Sequence, residues 1–358
     1  MAFIQHKDQF KVWIFAPYLE SDDPVIQSYY DYTQSIDEFT RVFNELKCEW
    51  EWVNVTIDNY KEKIAHVKGS NTKQNIVFNL CDGDEINNVP GVSVIHELKA
   101  QNVVFTGSEA YFYQITTSKI PMKQAFDTHG VSTPAWKKLN GVNKGVVEKI
   151  GAPVIVKPAV SAGSMGISVA NVVNDHDSLK DILTKIRKGY RGWNVADAGV
   201  LAEKYIAGRE FTVLLVGSHS HLDSIKIYTP IERVFHRSLP ETEKFLSFDR
   251  LWANYQEETP MPNDEDLYQY QKVQDPELID RINKLCIDAY KSVQGTGYTR
   301  IDIRMDEAGE LYVLEVNAQC GLSEDENYTS IGAILRYSGK SFTDLTVEIL
   351  DDALLRHT

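Results

Sequence analysis

The stretch Thr299-Arg-Ile-Asp-Ile-Arg-Met-Asp-Glu-Ala-Gly-Glu-Leu-Tyr-Val-Leu-Glu-Val-Asn317 constrains the fold more than any other part of this chain. Polar and apolar residues alternate on both sides of the turn-prone Asp306-Glu307-Ala308-Gly309, so it reads as a β-hairpin. Pairing Met305 with Glu310 sets Asp302 opposite Val313 and Arg300 opposite Glu315. Side chains alternate with period two. Arg300, Asp302, Glu315 and Asn317 therefore share one face, and Ile301, Ile303, Tyr312, Leu314 and Val316 share the other. A slip by one residue would bury charge, so the pattern selects a register. Two carboxylates, an amide oxygen and a guanidinium on one rigid face suit Mg2+, with Arg300 placed to neutralise a phosphoryl group. Acids on a hairpin are commonly no more than a solvated face. Asn317 two residues after Glu315, and Arg300 two before Asp302, favour a site.

At 358 residues the chain is long enough for two or three domains with their own cores. Its 37 basic and 51 acidic residues give a net charge of −14, which argues against sequence-independent nucleic-acid binding. No apolar run approaches membrane length, and the first residues lack the apolar core of a secretory signal. Cys48, Cys81, Cys286 and Cys320 are far apart and form no CxxC pair. That disfavours a zinc site or disulfide framework and suits a reducing cytosol, so a cytoplasmic location is expected.

The first third alternates strands with helices. Lys11–Ala16, Glu51–Ile57, Asn75–Leu80 and Val103–Thr106 read as strands, and 28–47 and 91–101 as helices. This predicts a parallel sheet with a ligand crevice at its carboxyl edge, although no G-x-G-x-x-G follows the first strand. From residue 117 the texture changes. A helix running to about Gly130 precedes the strand Gly151–Pro158, the small-residue loop Ala159–Gly166, a returning strand Ile167–Ala170, a helix over 175–188 and the strand Gly199–Ile206. Further strands and a long polar insertion, 233–275, lead to the hairpin and a C-terminal helix.

Lys157 ends an apolar strand just before a loop containing Gly163 and Gly166. Such a loop lets backbone N–H groups approach an anion, and its serines add donors. It reads as a phosphate clamp or as a plain connection; it is not a Walker A loop. Lys119 at a helix start is a weaker anion contact. Backbone groups of Glu203-Lys204-Tyr205-Ile206 lie where a strand leaves the central unit and could read an adenine rim, and Glu210 could accept ribose hydroxyls.

Taken in order, Lys119, Val-Ile-Val-Lys157-Pro with Ser161–Gly166, Glu203–Ile206 with Glu210, and Arg300-x-Asp302 with Leu314-Glu315-x-Asn317-x-x-x-Gly321 resemble the ATP-grasp superfamily, and most closely its D-alanine–D-alanine ligase-like branch. Phe78-Asn-Leu80 and Phe105-Thr-Gly-Ser108 resemble that branch's N-terminal domain. The resemblance implies an α/β (α+β) fold of three domains. These are an N-terminal Rossmann-like parallel sheet (1–116), a central α+β lid domain (117–208) and a C-terminal α+β domain with an antiparallel sheet (209–358). It also implies an ATP- and Mg2+-dependent carboxylate–amine ligase working through an acyl phosphate. Lys119, Lys157, Ser161, Gly163, Ser164 and Gly166 would hold phosphates. Glu203, Lys204, Tyr205, Ile206 and Leu314 would surround the base, and Glu210 would bind ribose. Asp302, Glu315 and Asn317 would coordinate two Mg2+ ions, with Mn2+ as a substitute. Arg300, the N–H of Gly321 and Lys157 would be catalytic. Partners would be small carboxylic-acid and amine substrates and a second copy in a homodimer, with neither nucleic acid nor membrane.

Three segments depart from the branch. The family's glycine-rich turn and glutamate after the first strand read here Ala16-Pro-Tyr-Leu-Glu20-Ser-Asp-Asp, where Glu20, Asp22 or Asp23 could substitute. The mobile loop's lysine and tyrosine are replaced by Phe245–Trp252, with Lys244 or Arg250 as stand-ins. After Gly321, small hydroxyl residues give way to Ser323-Glu324-Asp325-Glu326, whose acids would repel a carboxylate and favour a cationic acceptor, or else merely cap a helix. Other readings are a D-alanine–D-alanine ligase proper, a ligase with another nucleophile, and an ATP-binding sensor without catalysis.

Overall fold

The computed structural model describes residues 2–22, 27–28, 30–70, 72–140, 143–253, 255–327 and 329–357; Asp23 lies outside them. Four strands, β1 (Phe10–Pro17), β2 (Glu49–Val55), β3 (Gln74–Asn79) and β4 (Val104–Phe105), form a parallel sheet in the order β2-β1-β3-β4. Helix Thr33–Leu46 buries Phe39, Val42, Phe43 and Leu46, spaced three and four apart, against one face. The order reverses between β1 and β3. Ligands of open α/β sheets bind outside the carboxyl ends of the strands at such a switch point.

The second sheet is antiparallel: β5 (Trp136–Lys138), β6 (Val154–Pro158), β7 (Val172–Val173) and β8 (Val200–Lys204), in the order β5-β8-β6-β7. Val154, Val156, Val200 and Ala202 point to one side and pack on helix His176–Arg187. Ile155, Lys157, Leu201 and Glu203 therefore point to the other. The expected returning strand at 167–170 is instead a 3-10 turn (Val169–Asn171) capped by Ser168, and pairing resumes only at β7.

The third sheet contains β9 (Arg209–Val216), β10 (Lys226–Ile227), β11 (Ile231–Phe235), β12 (Tyr268–Lys272), β13 (Tyr298–Met305) and β14 (Leu311–Ala318). Its order is β12-β11-β9-β13-β14, with β10 on β9. The expected polar insertion over 233–275 thus begins and ends in sheet strands. One face packs on helix Pro276–Ser292 through Phe211, Val213, Leu215, Ile301, Ile303, Val313 and Val316. Among the described residues all four cysteines are buried free thiols, and no helix is long and apolar enough to cross a membrane.

The hairpin forms with a different register from the one expected. Asp306 Oδ1 accepts the N–H groups of Ala308 and Glu310, drawing Glu310 into the turn, so Met305 pairs with Leu311 and Ile303 with Val313. A bulge at Leu314 then sets Asp302 opposite Glu315 and Arg300 opposite Asn317. The bulge switches sides along β14: Leu311 and Val313 fill the core, while Tyr312 and Leu314, assigned to the buried face from the sequence, are only half-buried. The polar set Arg300, Asp302, Glu315 and Asn317 keeps its common face.

Candidate active site

Three cross-strand rungs build the polar face of the third sheet. Leu214, Arg300 and Asn317 form the first, Thr212, Asp302 and Glu315 the second, and Arg233, Glu210 and Arg304 the third. Asp302 is the hub. Its carboxylate accepts Thr212 Oγ1 (2.8 Å), Asn317 Nδ2 (2.9 Å) and the guanidinium of Arg300 (3.0 Å).

The edge of β14 is covered, as an edge strand requires. Ser132 and Thr133 bond the carbonyls of Leu311 and Val313, and the Val316 N–H reaches Met122 Sδ. Helix Lys119–His129, ended by Gly130 with φ +68°, lies across that edge and delivers two lysines to the site. Lys119 Nζ stands 3.2 Å from Glu315 Oε2 and 3.3 Å from Ser161 Oγ. Burial alone would raise the Glu315 carboxyl, but Lys119, Lys157 and Arg300 outweigh it and hold it below the ordinary carboxylate value.

Lys123, one turn later, was not singled out from the sequence. Its side chain is buried between Glu203 Oε2 (2.7 Å) and Thr133 Oγ1 (2.8 Å), and Lys157 pairs with the other oxygen of Glu203. Burial would raise the Glu203 carboxyl; the two ammonium groups overcome this and bring it down to about 2. Glu203 thus fixes Lys157 through its side chain. The Lys204 ammonium points away, onto the carbonyls of Gly151 (2.9 Å) and Ala152 (2.6 Å), which leaves the strand's backbone as its contribution to the site.

At the other end of the plate Glu210 is buried and held by Arg233 and by Arg304 (2.7 Å). Burial raises its carboxyl and the two guanidinium groups lower it further than that, so it is an anion. Arg304 also donates to Ile206 O (2.8 Å), Tyr205 Oη (3.1 Å) and Lys244 O. It therefore engages both the Tyr205–Ile206 segment and the carboxylate expected for ribose. The period-two rule that placed Arg300 and Asp302 also places Arg304 on this face, so the alternation carried the signal for it.

The loop Ser161–Gly166 lies against the segment after Lys244. Ser164 Oγ donates to Leu246 O (2.8 Å) and Trp252 Nε1 to Gly163 O (3.0 Å). Gly163 has φ +54°, and a Cβ there would meet Trp252 Cζ2 at 2.8 Å, so glycine is required on both counts. Lys244 is paired with Glu241, and the buried Arg250 with Glu243 and Glu258, so these stand-ins are engaged in holding the loop.

Gly321 is exposed beyond β14. Ser323 is fully buried and donates to Glu38 Oε1 (2.6 Å) of helix Thr33–Leu46. Glu324 pairs with Arg41 and Glu326 with Arg336 (2.6 Å), so the repulsion expected from these acids is partly cancelled. Glu20 is exposed past the end of β1.

The donor set fits Mg2+. Among the described residues no group of three or more His, Cys, Asp or Glu stands at metal-holding spacing, but two carboxylates on one rung plus the Asn317 amide supply the few hard oxygens that Mg2+ takes from protein. The lysines and guanidinium around them give the balance of charge a polyphosphate needs.

Residues 126–351 match the family described as D-ala D-ala ligase C-terminus. The D-alanine–D-alanine ligase of Marinobacter nauticus is 28% identical over 254 residues, covering 70% of this chain and 67% of that protein. That of Halorhodospira halophila is 29% identical over 252 residues, covering 70% and 71%. Among solved structures, the D-alanine–D-alanine ligase of Bacillus anthracis complexed with ATP superposes with a TM-score of 0.68 at 20% identity, over 97% of this chain and 98% of that one. The enzyme from Coxiella burnetii gives 0.65 at 13% identity, over 97% and 96%. These likenesses at low identity establish a shared three-sheet fold.

Proposed function

The chain belongs to the D-alanine–D-alanine ligase family, and on that premise we propose that it joins a small, amino-acid-like carboxylate to an amine through an acyl phosphate, releasing ADP and phosphate. It is an ATP-dependent carbon–nitrogen ligase of the ATP-grasp type that forms an amide bond. The observation that carries the finer reading is the rung of Asp302 and Glu315 with Lys119, Lys157 and Arg300 acting on it.

Asp302, Glu315 and Asn317 would hold Mg2+, taken as two ions or Mn2+ in their place, which when bound neutralises phosphate charge. Lys119 and Lys157 grip the phosphates, with Lys157 oriented by the Glu203–Lys123 pair. Ser161, Gly163, Ser164 and Gly166 close over them. Tyr205, Ile206 and Leu314 flank the base, and Glu210, held in place by Arg233 and Arg304, would meet the ribose. The substrate carboxylate attacks the γ-phosphorus, ADP leaves, and the amine adds to the acyl phosphate. Arg300 and the Gly321 N–H then face the developing oxyanion. We place the domain boundaries at 116/117 and 208/209. The first sheet lies within 10–105, the second within 136–204 and the third within 209–318, which supports them.

The test is a matrix of small carboxylic acids, D-alanine among them, against amines. The readouts are phosphate release and product mass. Phosphate should appear where acid and amine are both present, with a product lighter than their sum by one water. ATP binding without phosphate from any pair would support the sensor reading, and an ester formed when a hydroxy acid takes the place of the amine would support the alternative nucleophile.

A further inference from the structure

The carboxyl ends of β1 and β3 bound the switch-point crevice, and three residues after β3, past Leu80 and Cys81, the chain carries an acid that the reading above does not use. Asp82 is presented on a stiff rim. Its predecessor Cys81 has its carbonyl bonded by Gln319 Nε2 at 2.9 Å, and Gln319 is buried in the loop that carries Gly321. Its successor Gly83 is fixed three ways. The Gly83 carbonyl accepts Tyr113 Oη (2.7 Å), its N–H bonds Pro90 O (3.0 Å), and a Cβ there would lie 2.2 Å from Val89 O. Asp82 is thus tied through its neighbour to the oxyanion loop of the third sheet, while its own side chain is exposed to the crevice.

We propose that Asp82 is a catalytic residue, the group that receives the ammonium of the acceptor substrate and takes its proton. The inference rests on the ligase reading and adds a base to it. An acyl phosphate is attacked only by a neutral amine, and the other acids after Gly321 are already engaged: Glu324 by Arg41, Glu326 by Arg336, and Asp325 by Gln34 and the Asn327 N–H. Asp82 accepts one proton from R–NH3+, and the nitrogen lone pair forms the C–N bond as the carbonyl π pair moves onto oxygen beside Arg300 and Gly321. Collapse breaks the C–O bond to phosphate, which leaves with the second nitrogen proton, and Asp82 returns its own proton to solvent.

The surroundings suit the task. Although the Asp82 side chain reaches solvent at the rim, the protein crowded around it raises its carboxyl to about 6, and the neighbouring charge that acts on it in the same sense is another acid, Asp84. The groups facing it from other elements are Tyr113, Tyr298 of β13 and the Cys320 thiol. Burial holds both phenols well above their usual value and the thiol at about 12, so these three stay neutral. A base near neutral pH is the effective kind.

Hydroxylamine separates the steps, because it is neutral at pH 7 and needs no base. With ATP, Mg2+ and whichever small amino acid the wild type converts to a hydroxamate, Asp82→Asn should trap hydroxamate at the wild-type rate. Amide formation with alkylamine or amino-acid acceptors should fall by ~10²–10⁴-fold. The decline of wild-type kcat/KM below pH 6 should also flatten in the variant. Amide and hydroxamate formation both at wild-type rate would overturn the role of Asp82 while the ligase stands. Equal loss of both, in a variant of unchanged melting temperature, would also overturn it. Absence of hydroxamate from the wild type with every acid would overturn the ligase reading, and Asp82 with it.

Discussion

At the residue scale the chemistry rests on charges whose strength comes from their partners. Asp302 and Glu315 are the two groups without replacement. Asp302→Asn or Glu315→Gln should lower turnover by more than the ~10–100-fold typical of groups behind a metal. The melting temperature should stay within a few degrees, which kinetics beside circular dichroism would check. Glu203 has a different signature. Its carboxyl is depressed from 4.5 to about 2, so the stability it contributes is present above pH 4.5 and lost as the pH falls toward 2. Lys123→Met removes one of the two cations responsible, which brings the folded value back toward 4.5, so the variant should be less stable at pH 5 and lose less stability between pH 4.5 and 2 than wild type. Urea midpoints measured between pH 5 and 2 would show it. Lys123 itself was invisible in the sequence, since a lysine one turn into a helix reads as solvated. Only the crossing of that helix over β14 buries it.

At the element scale, alternation revealed which hairpin residues share a face but not how the strands pair. The polar set was legible because period two survives any even shift. The register was not, because the Asp306 side chain widens the turn and the Leu314 bulge then restores the alignment of Asp302 with Glu315. Neither event leaves a mark in hydrophobic patterning, since Leu311, Val313 and Leu314 are all apolar. The strands at the ends of the 233–275 segment were missed for a related reason: Tyr-Gln-Tyr-Gln-Lys of β12 is an edge strand with little apolar content. The loop Ser161–Gly166, proposed to close over phosphates, carries its own prediction. Gly163→Ala adds a side chain at φ +54° against Trp252, a left-handed cost of ~1–2 kcal/mol. The KM for ATP should rise by roughly tenfold or less, with kcat changing little, in steady-state kinetics at varied ATP.

At the scale of the whole molecule, the site exists because three sheets meet, and few residues hold the seam. Gln319 bonds the Ser108 N–H (3.2 Å) and the Cys81 carbonyl (2.9 Å), joining the N-terminal sheet to the loop before Gly321. Glu38 and Ser323 join them again. Gln319→Ala leaves buried backbone groups unpaired, at a cost of ~1–3 kcal/mol each. It should lower kcat while nucleotide affinity, read by calorimetry, stays as in wild type. These contacts connect residues more than two hundred apart, so no local pattern could have announced them. The resemblance to a known branch supplied the expectation of which residues meet ATP and metal, and the structure supplied what surrounds them. The central claim is that a substrate carboxylate is phosphorylated on this platform. An amino acid labelled with 18O in its carboxyl group, turned over with ATP, Mg2+ and an amine, tests it directly. One labelled oxygen should appear in each phosphate released. Phosphate carrying oxygen from water alone would contradict it.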